Sequence, residues 1–348
     1  MGFVSMPEGA LWVRLPRFIG DAVMITQAVA PLRDMGHDLV AWGPAPVVEL
    51  FEGAAPYAAV MVDPAEKQGA FAMSGLLKAH RAAGVLNLPR SLRATLAARL
   101  AGVPIRVGWS PWWMGFLPTH RLDYGRLQGH QLDRYRKLLL KAFSALNASG
   151  HMSFRPRAAS QMQAQELLRS RFGSAPYGVL ALGAMSWNKR LGVGQFAAAA
   201  RHLQGLGLQV VLLGAPGEDQ AHAALVEAQA PGVIDLSGQA PLSVAAGILA
   251  GAKVALGNDS ALSHMAAACG TPVVVAFGPT DPTLTCPRGP WVRAVRDESL
   301  SCLVCQRGDC TVPGHPCMQR LDPDLICRAL EDGLGSAAAI QSLSSEAK

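Results

Sequence analysis

The chain alternates short, continuously apolar runs with longer segments in which apolar residues recur at helical spacing. In the first half the apolar runs are residues 11–15, 39–42, 60–62, 85–88 and 105–108. Runs that are apolar at every position are typical of strands buried on both faces, as in parallel sheets covered by helices. The first half is therefore predicted to be a doubly wound α/β domain.

The same alternation restarts after a less regular region and a polar linker. Its apolar runs are residues 178–182, 209–213, 233–236, 254–257 and 273–277. The pattern predicts two Rossmann-like domains, residues 1–155 and 156–335, followed by a frayed tail over residues 336–348. Ligands bind beyond the carboxyl ends of the strands in such sheets, so we expect the two domains to face each other across a cleft.

Composition narrows the function classes. The 348 residues, half of them hydrophobic, suffice for two domains with large cores. A net charge of +6 favours an anionic partner such as a phosphorylated sugar, a nucleotide or an acidic membrane surface. No zinc-finger spacing or RNA-binding signature accompanies the arginines, so nucleic acid is not an expected partner. Without an apolar run of about 18 residues or a signal-like start, we expect a cytoplasmic protein, at most peripheral to a membrane.

The most informative segment is residues 256–282, which reads as a buried strand, a helix start, a small-residue helix and a second buried strand. Asp259 or Ser260 can cap the helix, leaving other backbone N–H groups and the positive end of the helix dipole aimed beyond the strand. A nucleotide diphosphate suits that position. His264 follows Ser260 by one turn on the same face. An ordinary strand-to-helix turn with a packed histidine is the alternative interpretation.

A second candidate lies after the first predicted strand, where Gly20 and Asp21 open the first long helix. The helix dipole keeps such a carboxylate ionised, so that it can accept a proton from a bound hydroxyl. Arg14 and Arg17 would make the surroundings electropositive and are candidate acceptor-binding residues. Asp21 could equally be an acid that only completes a helix start. This loop has neither a GxGxxG motif nor a P-loop lysine, which disfavours dinucleotide oxidoreductases and NTPases.

Two further loops of the second half carry polar candidates. Lys189 and Arg190 stand just before a helix, where they can bind a phosphate together with Ser186. Glu218 begins the next helix and can accept hydrogen bonds from sugar or ribose hydroxyls. First-turn acids also serve simply as partners of the helix dipole.

Five of the seven cysteines lie near the C-terminus, with His315 among them. Crowding of this kind in a cytosolic chain favours metal binding or reduced thiols over disulfides. Both interpretations stay open: free thiols on a loop, or a structural zinc ion. The four thiols with possible ligand spacing are Cys302, Cys305, Cys310 and Cys317.

Taken together, four stretches resemble glycosyltransferase family 9, the ADP-heptose:lipopolysaccharide heptosyltransferases. In chain order they are RLPRFIGDAVMITQAVAPLRD, GAMSWNKRLGVGQFAAAARHL, LLGAPGED and LGNDSALSHMAAACGTPVVVAFGPTDP. The cysteine-rich end is similar to the tail of heptosyltransferase II-like members. The resemblance implies a GT-B architecture, with the lipid-sugar acceptor on the N-terminal domain and the nucleotide-sugar on the C-terminal one.

The resemblance also implies residue roles. Asp21 matches the family's general base, Lys189 its donor-phosphate lysine, Glu218 its ribose-binding acid and Asp259 the acid of its donor motif. The implied reaction is an inverting, metal-independent transfer of heptose from ADP-L-glycero-D-manno-heptose to the lipopolysaccharide inner core. The implied acceptor is an anionic lipid-linked sugar at the inner face of the inner membrane.

This chain departs from the family pattern at two places. Asp259, Ser260 and Ala261 stand where the family usually has Asp-Thr-Gly, and Leu191 stands where it usually has Trp. The alternatives are a family 9 enzyme that uses another nucleotide-sugar, a GT-B-like sugar-nucleotide epimerase, and a nucleotide-sugar binding protein without catalysis.

Overall fold

The chain divides into two compact units, Met1–Arg157 and Ala158–Lys348. A computed structural model describes residues 6–63, 69–110, 114–146 and 154–346, with side chains as far as residue 335. Each unit is a parallel sheet covered by helices, so the predicted α/β class is confirmed.

The sheet of the first unit has six parallel strands. They are β1 Leu11–Arg14, β2 Leu39–Gly43, β3 Ala59–Val62, β4 Gly84–Asn87, β5 Ile105–Trp109 and β6 His120–Leu122. Their order across the sheet is β3-β2-β1-β4-β5-β6. Leu11 of the central strand is paired in register with Leu39 on one side and Gly84 on the other.

Helices connect these strands and bury both faces of the sheet. They are α1 Ile19–Val29, α2 Pro31–Asp34, α3 Ala45–Val48, α4 Gly69–Ala79, α5 Leu92–Leu100 and α6 Gln131–Leu139. Trp12 and Trp42 lie in the core with an edge-to-face arrangement, their ring centroids 6.3 Å apart.

The second unit repeats this architecture. Its strands are β7 Tyr177–Ala181, β8 Gln209–Leu213, β9 Ile234–Asp235, β10 Val254–Asn258, β11 Val273–Ala276 and β12 Val292–Val295. All are parallel, in the order β12-β11-β10-β7-β8-β9, and Leu180 of β7 is in register with Leu256 of β10.

Eight helices accompany the described part of this second sheet. They are α7 Ala158–Phe172, α8 Val193–Gly205, α9 Glu218–Gln229, α10 Leu242–Gly251, α11 Ala261–Ala268, α12 Pro282–Thr285, α13 Pro316–Gln319 and α14 Pro323–Glu346. The main core lies where α8 and α14 pack on the sheet, and it includes Phe196, Met318 and Leu330.

Two strands and one helix differ from the sequence-based expectation. The edge strands β6 and β12 were not predicted, because each carries polar residues and so lacks a continuous apolar run. The structure continues α14 as far as Glu346, where the sequence pattern predicts a frayed tail from residue 336. The run of three alanines at residues 337–339 has a high helix propensity.

Candidate active site

Three loops of the second unit meet at one edge of its sheet. β7 lies between β10 and β8, so the loops that follow these three parallel strands leave the sheet side by side. The chain order reverses between β7 and β10, and the carboxyl ends of strands at such a reversal form the usual ligand crevice of this architecture. The predicted donor residues Lys189, Glu218 and Asp259 follow β7, β8 and β10 respectively.

Lys189 and Asp259 form an ion pair at this edge. The distance from Lys189 Nζ to Asp259 Oδ2 is 2.7 Å. The lysine side chain is 28% exposed and the aspartate side chain only 7%. The ammonium group therefore reaches solvent from a position that a nearly buried carboxylate fixes.

Asn258, the last residue of β10, ties the adjacent loops together. Its fully buried amide nitrogen donates to the Leu182 carbonyl at 2.8 Å, and its oxygen accepts from the Leu191 backbone N–H at 2.9 Å. Leu191 is itself fully buried in the core. The replacement of the family's usual Trp by Leu191 therefore falls on a core position.

Helix α11 begins at the same edge with Ser260 as its N-cap. The Ser260 side chain makes no capping hydrogen bond, and its buried Oγ has no hydrogen-bond partner among the described residues. Thr280, in the loop after β11, carries a second buried hydroxyl in the same condition. Backbone N–H groups and hydroxyls at a helix N-terminus bind phosphate oxygens well. His264, also predicted as a donor ligand, is 5% exposed and lies one turn farther inside.

Arg190 links the β7 loop to the start of α9. Its Nη1 lies 2.6 Å from Glu218 Oε2, and its Nη2 lies 3.7 Å from Asp219 Oδ1. Glu218 remains 79% exposed, so its carboxylate can exchange this partner for a ligand hydroxyl. Asp219 is buried and accepts a hydrogen bond from the Ala215 N–H at 2.7 Å, which gives it a structural role in the loop. Ser186 is the N-cap of the 3₁₀ turn Trp187–Lys189 and makes no side-chain cap bond.

The predicted base, Asp21, lies in the first turn of α1 in the first unit. The N-cap residue, Phe18, makes no side-chain capping bond, and the positive end of the helix dipole favours a carboxylate in this first turn. Burial raises the pKa of Tyr135 on α6, and the negative charge of Asp21 raises that pKa further. Asp21 thus acts electrostatically on a buried phenol whose neutral form it favours.

A cationic cluster beside Tyr135 was missed from the sequence. The guanidinium carbon of Arg90 lies 4.2 Å from the ring centroid of Tyr124, and that of Arg134 lies 5.3 Å from it. Arg134 also donates to the Tyr124 hydroxyl at 3.2 Å. Arg90 lowers the pKa of Tyr135, opposing Asp21. Arg90 follows the carboxyl end of β4, and that position was the available signal.

The two arginines predicted to bind the acceptor lie in different environments. Arg14 is 8% exposed, forms an ion pair with Asp63 at 2.7 Å and lies over the Trp42 ring. The charge of Arg14 is therefore nearly buried and already paired within this unit. Arg17 is exposed and stacks on the Phe18 ring, with 4.8 Å from its guanidinium carbon to the ring centroid. Arg17 keeps a charge that can meet an anionic ligand.

The predicted metal ligands line one cavity in the second unit. Cys302, Cys305, Cys310 and Cys317 contribute to its wall, and all four are free thiols. Among the described residues, no three metal-ligating side chains are arranged as a ready coordination site. The structural zinc ion stays a prediction.

Comparison with known protein families identifies the family of this chain. Residues 71–315, which contain the three loops of the second unit, match the model of "Glycosyltransferase family 9 (heptosyltransferase)". The chain belongs to glycosyltransferase family 9. The sequence resemblance is thereby confirmed.

A curated relative agrees with this assignment. The chain is 35% identical over 105 residues to lipopolysaccharide heptosyltransferase 2 of Salmonella typhimurium, covering 29% of this chain and 30% of that protein. The alignment therefore spans less than a third of the curated relative.

Solved structures of family 9 members extend the likeness to the whole fold. The structure of Escherichia coli ADP-heptose lipopolysaccharide heptosyltransferase II matches with a TM-score of 0.74 and 22% identity, covering 94% of this chain and 99% of that one. A family 9 glycosyltransferase from Veillonella parvula matches with a TM-score of 0.80 and 19% identity, covering 96% and 99%. The two Rossmann-like units are thus those of a GT-B fold. No helix in the described part of the chain has both the length and the apolar character needed to cross a membrane.

Proposed function

We propose that this chain transfers heptose from ADP-L-glycero-D-manno-heptose to the inner core of lipopolysaccharide. Family membership and the relative named lipopolysaccharide heptosyltransferase 2 support this assignment. The observation that carries it is the Lys189–Asp259 pair beside the uncapped start of α11, at the sheet edge where this architecture binds nucleotides.

The donor site follows from the chemistry of that edge. Lys189, the N-terminal amides of α11 and the Ser260 hydroxyl together offer charge and hydrogen-bond donors to a diphosphate. Glu218, exposed at the start of α9, offers an acceptor for ribose hydroxyls. Arg190 and Ser186 lie on the loop after β7, as Lys189 does. They complete the set of donor-binding residues that we propose.

The proposed reaction is a direct displacement that inverts the anomeric carbon. Asp21 accepts the proton of the acceptor hydroxyl while that oxygen attacks, and the bond from the anomeric carbon to the diphosphate oxygen breaks. Lys189 and the helix dipole of α11 stabilise the departing diphosphate. Fixed cationic groups can neutralise the leaving group in the way that a metal ion does elsewhere, so we propose a metal-independent transfer.

The acceptor side is proposed to be anionic and lipid-linked. Arg17 is exposed. Arg90 and Arg134 lie over the Tyr124 ring, near Tyr135, whose pKa is influenced by Asp21. Positive charge at this place suits the acidic sugars and phosphates of an inner core. A cytoplasmic location, peripheral on the inner face of the inner membrane, would bring the enzyme to such an acceptor.

Asp21→Asn tests the base assignment without changing the shape of the side chain. Because a positioned general base contributes roughly 10²- to 10⁴-fold, we expect kcat to fall by that factor while the KM for the donor changes little. Asp34→Asn is the matched control, since it removes an exposed acid of the same unit at the end of α2. An Asp21→Asn enzyme with more than about a tenth of normal kcat would contradict the assignment.

A donor panel tests the substrate. Turnover with ADP-heptose and none with other nucleotide-sugars is the expected result, and the reverse would assign the chain to transfer of another sugar. Mass spectrometry of the lipopolysaccharide core after gene deletion then identifies the acceptor by the point of truncation.

A further inference from the structure

A cavity of about 300 Å³ lies between residues 302–317, here called the cysteine-rich segment, and the loops after β7 and β11. Four thiols line it, together with the imidazole of His315. This is a wall of soft sulfur donors and one nitrogen donor, the ligand types that thiophilic transition metals prefer. The proposed transfer reaction uses none of these side chains.

The four thiols share the wall of this one cavity. Thiolates held together in this way repel each other. A divalent cation reverses this relation, because it stabilises several thiolates at once.

His315 provides an independent observation. It is only 6% exposed, and neither ring nitrogen makes a hydrogen bond of normal geometry within the described structure. Burying a polar group without a hydrogen-bond partner costs free energy, so we expect His315 to have a partner when the site is filled.

The backbone of the segment is strained around the same side chains. Val304, Gln306 and His315 have φ values of 59°, 49° and 44°, in the left-handed region that non-glycine residues rarely adopt. Val304 and Gln306 flank Cys305 directly. Such a conformation is unfavourable by itself and persists where surrounding interactions compensate for it.

We propose that this cavity binds one thiophilic divalent metal ion, zinc or iron, through the thiolates of Cys302, Cys305, Cys310 and Cys317. The His315 imidazole would then find its partner by donating an N–H to a coordinated sulfur. No three donors among the described residues stand in a ready ligand arrangement, so binding turns the thiols toward the cavity centre. Each cysteine has a single χ1 torsion through which it can do so.

The bound ion would also brace the β7 loop. The Trp187 ring packs edge-on against His315 with 5.1 Å between centroids, and the Asn188 side chain donates to the Arg307 carbonyl at 2.5 Å. Lys189 is the next residue along the chain. The effect of the metal on donor binding rests on the proposed function, whereas metal binding itself does not.

The test begins with the metal content of the full chain, purified in reductant without chelators. We expect one zinc or iron ion per chain by elemental mass spectrometry, and Co²⁺ exchanged into the site should give a thiolate-to-metal charge-transfer band. The paired variant Cys302→Ser with Cys305→Ser should lose both signals. Cys327→Ser, a thiol of α14 outside the cavity, is the matched control and should keep both.

A second measurement keeps the test decisive if the paired variant fails to fold. Alkylation of the native protein should spare Cys302, Cys305, Cys310 and Cys317 until a chelator is added, while Cys327 reacts equally in both conditions. Substoichiometric metal together with no Co²⁺ band would overturn the proposal, as would equal alkylation of all thiols before and after chelation. If metal is present but its removal leaves the donor KM unchanged, the bracing of the Lys189 loop is overturned and the metal site stands.

Discussion

The Lys189–Asp259 pair predicts an asymmetry between its two single variants. Lys189→Met leaves a carboxylate that is 7% exposed without its counter-charge, whereas Asp259→Asn leaves an ammonium group that is 28% exposed and can reach water. Removing one partner of a fully buried pair costs about 3 to 5 kcal/mol, and exposed pairs contribute about 1 kcal/mol or less. We therefore expect Lys189→Met to lower the free energy of unfolding by about 2 kcal/mol and Asp259→Asn by about 1 kcal/mol.

Urea unfolding of both variants and of the double variant measures these values. The double variant removes both charges, so its cost should be smaller than the sum of the single costs by roughly 1 kcal/mol. An unchanged dependence of the unfolding free energy on urea concentration would show that the surface area exposed on unfolding is the same in the variants. Equal losses in the two single variants, or additive losses in the double variant, would refute the view that Asp259 depends on Lys189 for its charge balance.

Three further predictions concern the same unit. Gly257→Ala places a Cβ 2.5 Å from Ser263 Oγ and should cost about 1 to 3 kcal/mol in urea unfolding, less when combined with Ser263→Ala. Burial lowers the pKa of His222, so the unfolded chain binds a proton at this residue more readily than the folded chain does. Stability should therefore fall as the pH drops below about 6.5. Measurements of Tm against pH should show a smaller fall for His222→Gln. Asn258→Ala leaves the buried Leu191 N–H unpaired and should cost about 2 kcal/mol, with faster hydrogen exchange at that amide.

The strands, and the position of the proposed donor-binding residues at the strand ends, could be predicted because buried parallel strands are apolar throughout. Residues that follow such strands are brought to one edge of the sheet whatever the details of the packing. Lys189, Glu218 and Asp259 were placed after predicted strands in this way, and the structure brings their loops together on adjacent strands. The ion pair between Lys189 and Asp259 joins residues 70 positions apart and has no signature in the sequence.

The cluster around Tyr124 could not be predicted for a related reason. Arg90, Tyr124 and Arg134 belong to a loop, a 3₁₀ turn and a helix, so only the tertiary fold brings them together. Arg90 also has a φ of 62°, a conformation that sequence patterns rarely indicate for arginine. The burial of Leu191 could not be predicted either. From the sequence alone, a residue that follows a Lys-Arg pair can lie in the core or face a ligand.

The pairing of Lys189 with Asp259 bears on how the proposed leaving group is stabilised. A carboxylate 2.7 Å from the ammonium group reduces the net positive charge that a bound donor meets in its ground state. The Ser260 hydroxyl makes no capping bond to α11 and has no hydrogen-bond partner among the described residues, so this hydroxyl and the α11 amides can hold the diphosphate from the start. Charge on the departing oxygen increases as its bond to the sugar breaks, and Lys189 can then shift from Asp259 toward that oxygen. An interaction that strengthens in this way lowers the barrier more than the ground state, which is the condition for it to raise kcat.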